Sequence, residues 1–339
     1  VFMVASYVGL SDQIDTDAPS FAGKTIRQVL KHGETVFSQS DIYFGHGTDN
    51  AWDEAVSLLL HALNLDPSAD ESILDVELTG QQIKDVFVLF DRRLKERIPA
   101  PYITGQAWFC GLPFIVDSRV IVPRSPIAQL IMDYFEPWLN KAPAQILDLC
   151  CGGGCIGISC AYGFDEAEVT LSDISLEALA VAELNIDKHK VQNRVSAVYS
   201  DLFSGFNGQL FDLIVSNPPY VDIDDFNSMP DEFHHEPELA LYSGQDGLDF
   251  TRRLLREAEN YLSETGILVV EVGNSSEALE KAFPSVPFFW FEFPEGDGGV
   301  FMLSREQRVE YAEQFRKNAY NRGVESLVDK VLERCQEIQ

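Results

Sequence analysis

No apolar run in this 339-residue chain approaches the roughly 20 residues that span a bilayer, so no membrane helix is expected. Basic residues are scarce: 25 Lys and Arg stand against 54 Asp and Glu, a formal charge of −29. Residues 305–339 hold seven of each sign, so the whole excess lies in 1–304. Such a surface repels nucleic-acid phosphates and draws in a basic partner, besides favouring solubility. Direct DNA binding is therefore not expected. Paired C-x-x-C spacing is also missing. The cysteines are Cys110, Cys150, Cys151, Cys155, Cys160 and Cys335, and no histidine lies beside the cluster at 150–160. Reduced, buried thiols are expected rather than metal ligands. The opening VFMVASYVGL is briefly apolar but lacks a basic flank and a small-residue cleavage site. No signal peptide is expected, and the cytoplasm is the expected location.

What is present has the balance of a soluble globular protein, with length for roughly two domains. Residues 25–44, 51–65 and 80–99 carry apolar side chains at helical spacing. Asn50 is placed to cap the second, Pro99 ends the third, and Gly33 interrupts the first. Together they predict a helical domain over 1–105. WFCGLPF and RVIVP, separated by VDS, predict a hairpin linker over 106–124. A helix over 125–139 follows, with Pro126 in its first turn.

From 145 the pattern alternates. Strands are expected at 145–149, 168–172, 195–199, 211–216, 266–272, 288–293 and 299–303, with helices at 155–162, 175–189, 247–262 and 275–283. Such alternation predicts an α/β domain over 125–304, its mainly parallel sheet covered on both faces. The last two strands follow each other without a helix, which predicts an edge hairpin. Residues 305–339 read as a helical extension.

Three features carry chemistry. ILDLCCGGGCIG (146–157) runs from a strand through a glycine turn into a helix, and Asp173 follows about twenty residues after Gly152. Glycines let backbone approach a nucleotide, and a strand-end carboxylate accepts from ribose hydroxyls. By these alone a nicotinamide or flavin would serve. Asp148, four residues before Gly152, suits a cationic ligand better than a pyrophosphate, which favours S-adenosylmethionine. SDLF (200–203) offers Asp201 to an adenine amino group, with Leu202 and Phe203 to cover the ring.

The third feature is Asn217-Pro218-Pro219-Tyr220, directly after the strand FDLIVS. A planar nitrogen conjugated to a π-system has little free lone pair. To accept a methyl group it must be held by its hydrogens, out of water, with its π-face covered. The Asn217 carbonyl and the next backbone carbonyl each accept one N–H, the prolines stiffen the turn, and the Tyr220 ring packs on the planar group. His234 and His235 follow in an acidic, turn-rich stretch (222–235), expected to be an exposed lid rather than a source of base.

These residues, with IPAPYITG (98–105), VIVPRSPI (120–127), SDIS (172–175) and EPELALYSGQDGL (236–248), resemble the bacterial glutamine N5-methyltransferases over roughly residues 25–310. VPRSPI, where release-factor enzymes carry an I-P-R-P-D-T-E type segment, and FGHGTDNAWDEA (44–55) resemble the branch acting on large-subunit ribosomal protein three. The resemblance implies a Rossmann-like class I methyltransferase with a seven-stranded mainly parallel sheet and a smaller helical N-terminal domain. It implies S-adenosylmethionine as methyl donor and, as partner, a basic ribosomal protein, free or in an assembling particle. Asp148, Cys151, Gly152 and Gly154 would line the methionine moiety, Asp173 the ribose, and Asp201 and Leu202 the adenine. Asn217, which also borders the cofactor, would bind the glutamine amide, with Pro218, Pro219 and Tyr220 completing the slot and Arg124 on the substrate side. The catalytic group would be Asn217, Pro218 and Tyr220. Cys151 and Gly153 replace the family's usual Thr and Ser, which removes a hydroxyl from the methionine end. Release-factor methylation, adenine-N6 methylation of nucleic acid and a non-catalytic role in ribosome assembly are the competing functions.

Overall fold

The computed structural model describes residues 23–294 and 298–317. The described residues form two compact units: those up to Ile42 with Asn50–Glu96, and Tyr43–Asp49 with those from Arg97 onward. The FGHGTD stretch thus belongs with the larger unit, although the sequence placed it in the helical domain.

The smaller unit holds α1 (Ile26–Ser38), α2 (Ala51–Ala62) and α3 (Gly80–Lys95). Thr25 and Thr79 begin α1 and α3 as capping boxes, and the Asn50 side chain accepts from the Asp53 N–H at α2. Gly33 does not break α1. A Cβ there would meet the Phe90 ring at 2.7 Å and the Ala55 methyl at 2.9 Å, so glycine lets three helices approach. Arg93 and Glu54 pair in the same core, both nearly sealed from solvent.

The larger unit opens with α4 (Ala100–Thr104) and a hairpin, β1 (Gln106–Phe109) and β2 (Leu112–Ile115). Its turn is Cys110–Gly111, both at positive φ (48° and 73°), not the VDS segment expected from sequence. Positive φ at both central residues is the geometry that matches strand twist in a two-residue hairpin. The next helix, α5 (Ile127–Met132), stops well short of 139. Tyr134 and Phe135 turn to φ 54° and 53°, and Phe135 is fully buried near the Phe164 ring.

Then come β3 (Gln145–Leu149), α6 (Cys155–Gly163), β4 (Glu168–Asp173), α7 (Leu176–His189), β5 (Val195–Tyr199), β6 (Phe211–Ser216), α8 (Ile223–Ser228), α9 (Asp249–Glu257), β7 (Leu262–Glu271), α10 (Ser276–Ala282), β8 (Phe289–Trp290) and β9 (Val300–Ser304). They build one sheet in the order β5-β4-β3-β6-β7-β9-β8. The first five strands are parallel; β9 pairs antiparallel with β7 and β8, as the edge hairpin expectation requires. Strand residues alternate between two cores. Ile146, Leu213, Val215 and Val269 face the side of α5–α7, while Leu147, Leu149, Ile214 and Leu268 face that of α9 and α10. Beyond β9, α11 (Arg305–Glu310) and α12 (Ala312–Lys317) pack Phe315 against Phe283. The rest of the expected C-terminal helix, Cys335 and the apolar N-terminus lie outside the described residues.

The order reverses between β3 and β6. Successive strands run outward from β3 through β4 and β5, then resume on its other side. In such sheets ligands bind beyond the carboxyl ends of the strands at that reversal. Leu149 and Ser216 are in register there, and Ser216 Oγ donates to the Leu149 carbonyl at 2.6 Å. The glycine turn and Asn217 therefore leave the sheet side by side.

Candidate active site

The glycine turn is shaped by two constraints. Cys150, Gly152 and Gly154 have φ of 62°, 52° and 78°, which folds the chain back into α6. Gly154 and Gly157 serve close packing, since a Cβ on them would meet Leu171 at 2.7 and 2.2 Å. Gly152, with Cys150, Cys151 and Gly153, lines a cleft shared with Asp173, Ile174, Asp201, Leu202, Asn217, Pro219 and Phe250.

Asp148 and Gly154, expected at the methionine end, do not line that cleft. Residue 148 shares the parity of Ile146, so its side chain lies on the α6 face of β3. There Oδ2 accepts the Gly157 N–H at 2.7 Å and Oδ1 has no hydrogen-bond partner among the described residues. Complete burial pushes its carboxyl up to about 7. It tethers the first turn of α6 and reaches the ligand side only through the backbone.

Asp173 ends β4 on the cleft wall. Its Oδ2 accepts the Gly152 N–H at 3.0 Å and Oδ1 accepts the Ser175 N–H at 2.8 Å, which locks turn and strand end together. Burial raises its pKa against these bonds. Asp201 sits after β5, with both oxygens 2.8 Å from Nη2 of Arg253, itself on the cleft wall. Leu202 lines the cleft, but Phe203 does not; it is fully buried, stacked on Tyr261 at 4.5 Å and 9°. The expected cover from Phe203 is therefore absent, because that ring completes the core behind the loop.

Asn217 borders two cavities. One is the cleft just described. The other is lined by Arg124, Asn217, Pro218, Tyr220, Phe233, Leu241 and Gly273. Pro219 faces the first, Pro218 and Tyr220 the second. Asn217 Nδ2 lies 3.5 Å from the Arg124 carbonyl, which turns the side-chain oxygen away from that wall. The Tyr220 O–H donates to Glu271 at 2.8 Å, and burial raises the phenol pKa.

Arg124, expected on the substrate, is committed elsewhere. Its guanidinium forks onto Glu236 at 2.6 and 2.5 Å and lies 5.2 Å over the Phe233 ring. Glu236 also accepts the Val122 N–H at 2.8 Å. A second buried carboxylate, Glu232, accepts the Tyr43 N–H at 2.9 Å and pairs with Arg97 at 3.0 Å. The stretch expected as an exposed lid (222–235) is thus held at Glu232, and the chain just beyond it at Glu236. His234 is exposed, His235 half-buried, and neither lines either of these two cavities.

Sequence reasoning missed Arg253, Glu271, Glu232 and the role of Glu236. Each is an ordinary charged residue on a helix, strand end or loop, and only burial distinguishes it. All described cysteines are free thiols, and burial raises their pKa.

The cleft offers carboxylates and apolar walls. The arginines that line it, Arg119, Arg124 and Arg253, each pair with an acid, Asp117, Glu236 and Asp201. Such a lining suits a nucleoside with hydroxyl donors and a positive charge, not a pyrophosphate.

Residues 128–244 match the methyltransferase small domain family. A ribosomal protein uL3 glutamine methyltransferase of Francisella tularensis is 47% identical over 86% of this chain and 94% of its own length. This chain belongs to that family. The uL3 glutamine methyltransferase of Neisseria gonorrhoeae is 46% identical over 84% of this chain and 95% of its own length. Among solved structures, ribosomal protein L11 methylase from Lactobacillus delbrueckii is 19% identical, covering 56% of this chain and 82% of that one, with a TM-score of 0.38. As in its family, the chain is a protein-glutamine methyltransferase with a class I methyltransferase fold.

Proposed function

We propose that this chain transfers a methyl group from S-adenosylmethionine to the side-chain amide nitrogen of a glutamine in ribosomal protein uL3, in the cytoplasm. The position of Asn217 carries this reading: one residue borders both the nucleoside cleft and a second cavity that Pro218 and Tyr220 also line. Bound in the first, S-adenosylmethionine supplies an electrophilic methyl on a sulfonium that already leaves well. Asp173 holds the ribose, Asp201 and Leu202 flank the adenine, and Cys151 and Gly152 meet the methionine end.

In the second cavity, the Asn217 side-chain oxygen and the Pro218 carbonyl accept the two amide hydrogens. This orients the nitrogen lone pair toward the nucleoside cleft and raises its electron density. Pro218 and the Tyr220 ring cover the amide plane and exclude water. Positioning of this kind contributes roughly 7–11 kcal/mol in ideal cases. An N-methylated amide cation is strongly acidic, so its proton is lost to bulk water as the product leaves the slot, and the chain needs no base. The acidic surface attracts a basic ribosomal protein and disfavours nucleic acid as methyl acceptor.

The test is a competition. Labelled S-adenosylmethionine is incubated with the enzyme, purified uL3, a release factor and DNA. Label on a uL3 glutamine is expected; label on the release factor or on DNA instead rejects the proposal.

A further inference from the structure

Glu271 is the last residue of β7, paired with Val300 of β9, and is 3% exposed. Its Oε1 accepts the Tyr220 O–H at 2.8 Å, and its Oε2 accepts the Ser125 O–H at 2.5 Å. In its carboxylate form Glu271 only accepts, and both hydroxyls then point at it. The segment that follows completes a cradle for Tyr220. Gly273, at φ +45°, leaves space for the ring, since a Cβ there would come within 2.5 Å of it. Ser275 Oγ donates to the Tyr220 carbonyl at 2.8 Å. Ser125 adjoins Arg124, whose carbonyl faces Asn217. Glu271 joins Tyr220, which lines the amide cavity, to Ser125, the chain neighbour of Arg124 on that cavity's wall, yet it lines neither cavity itself.

We propose that Glu271 is a positioning residue: it fixes the Tyr220 ring beside the amide slot and ties it to Ser125, so that the slot keeps one shape. The kinetic consequence rests on the proposed activity; the hold on Tyr220 does not. Burying an ionisable carboxyl is costly, and burial pushes this one up to about 7. If fold stability were its only role, Glu271→Ala would leave kcat of the folded enzyme and the Tyr220 ring unaffected.

Two readouts test this. Turnover and binding are compared for wild type, Glu271→Ala and Glu271→Gln. The Ala variant is expected to lose about tenfold to hundredfold in kcat with little change in KM for either substrate. The Gln variant, whose amide oxygen still accepts from Tyr220, recovers most of it. In parallel, fluorine NMR follows protein labelled with 3-fluorotyrosine, the Tyr220 signal being assigned by its loss in Tyr220→Phe. That signal shifts in Glu271→Ala and returns toward the wild-type position in Glu271→Gln.

Wild-type kcat in the Ala variant, equal impairment of Ala and Gln, or an unmoved Tyr220 signal overturns the assignment. If the wild type transfers no methyl to uL3, the activity is rejected and the fluorine signal alone decides on Glu271. If Glu271→Ala does not fold, Ser125→Ala carries the test, with a smaller fall in kcat and a smaller shift; absence of both overturns it.

Discussion

The two cavities that meet at Asn217 are built differently. The nucleoside cleft is made from successive strand ends: the turn after β3, Asp173 of β4, Asp201 after β5 and Asn217 after β6. The amide cavity is made from segments far apart in sequence: 121–124, 217–225, 229–241 and 273–274. Its walls are joined by side-chain contacts, Arg124 with Glu236 and Tyr220 with Glu271. The first kind of site follows from topology, since parallel strands deliver their carboxyl ends to one place. The second depends on burying charged groups in pairs, which topology does not dictate.

The largest effect expected from breaking this arrangement is at the shared residue. Asn217→Ala should cut turnover by about 10²–10³-fold, the cost of losing one preorganised group at the reacting atom, with cofactor binding by calorimetry nearly intact. Glu236→Ala comes next. It leaves Arg124 half-buried without its carboxylate and should lower unfolding stability by about 3 kcal/mol in denaturant melts, while cofactor affinity is kept. Equal loss of cofactor affinity would show that the two cavities are not separable.

Asp173→Ala attacks the other side. Loss of a charge-assisted contact of about 1.5–3 kcal/mol should weaken cofactor binding roughly tenfold to hundredfold in calorimetry, and turnover at saturating cofactor should suffer less. Asp148→Asn gives the smallest effect and sharpens the boundary of the cleft. Its folded pKa of about 7 lies above the usual carboxylate value, so its contribution to stability is full at low pH and fades as pH rises toward 7. The Asn variant should flatten that part of the pH dependence in thermal melts and keep cofactor affinity. Weakened binding would return Asp148 to the ligand.

The same contrast governs what the sequence reveals. Strands and helices from 145 onward follow from periodicity, because strand interiors such as ILVV are apolar throughout and helices show one apolar face. The glycine turn and Asn217 were legible for the same reason: each sits directly at a strand end. Parity, however, decides whether a strand residue faces ligand or helix, and there Asp148 misled, while Phe203, in the loop after β5, turns into the core behind it. Their types suit a ligand site, but their side chains point into the packing beside it. The hairpin turn at Cys110–Gly111 was missed because a lone cysteine gives no sign of the left-handed conformation. The clasp of Glu232 and Glu236 was hidden by composition, since one lies within and the other directly after an acidic stretch that reads as solvent-exposed. Glu271 was hidden by position, as a charged residue ending a strand is ordinary until its partners are known.

The most direct test of the account is the location of the transferred methyl group. Purified uL3 is incubated with S-adenosylmethionine and either wild-type enzyme or Asn217→Ala, and the protein is mapped by fragmentation mass spectrometry. A single methyl on a glutamine side-chain nitrogen, formed by the wild type and nearly absent with the variant, is the expected result. Methyl on any other residue type, or equal modification by the variant, would contradict the assignment of Asn217 as the residue that presents the amide.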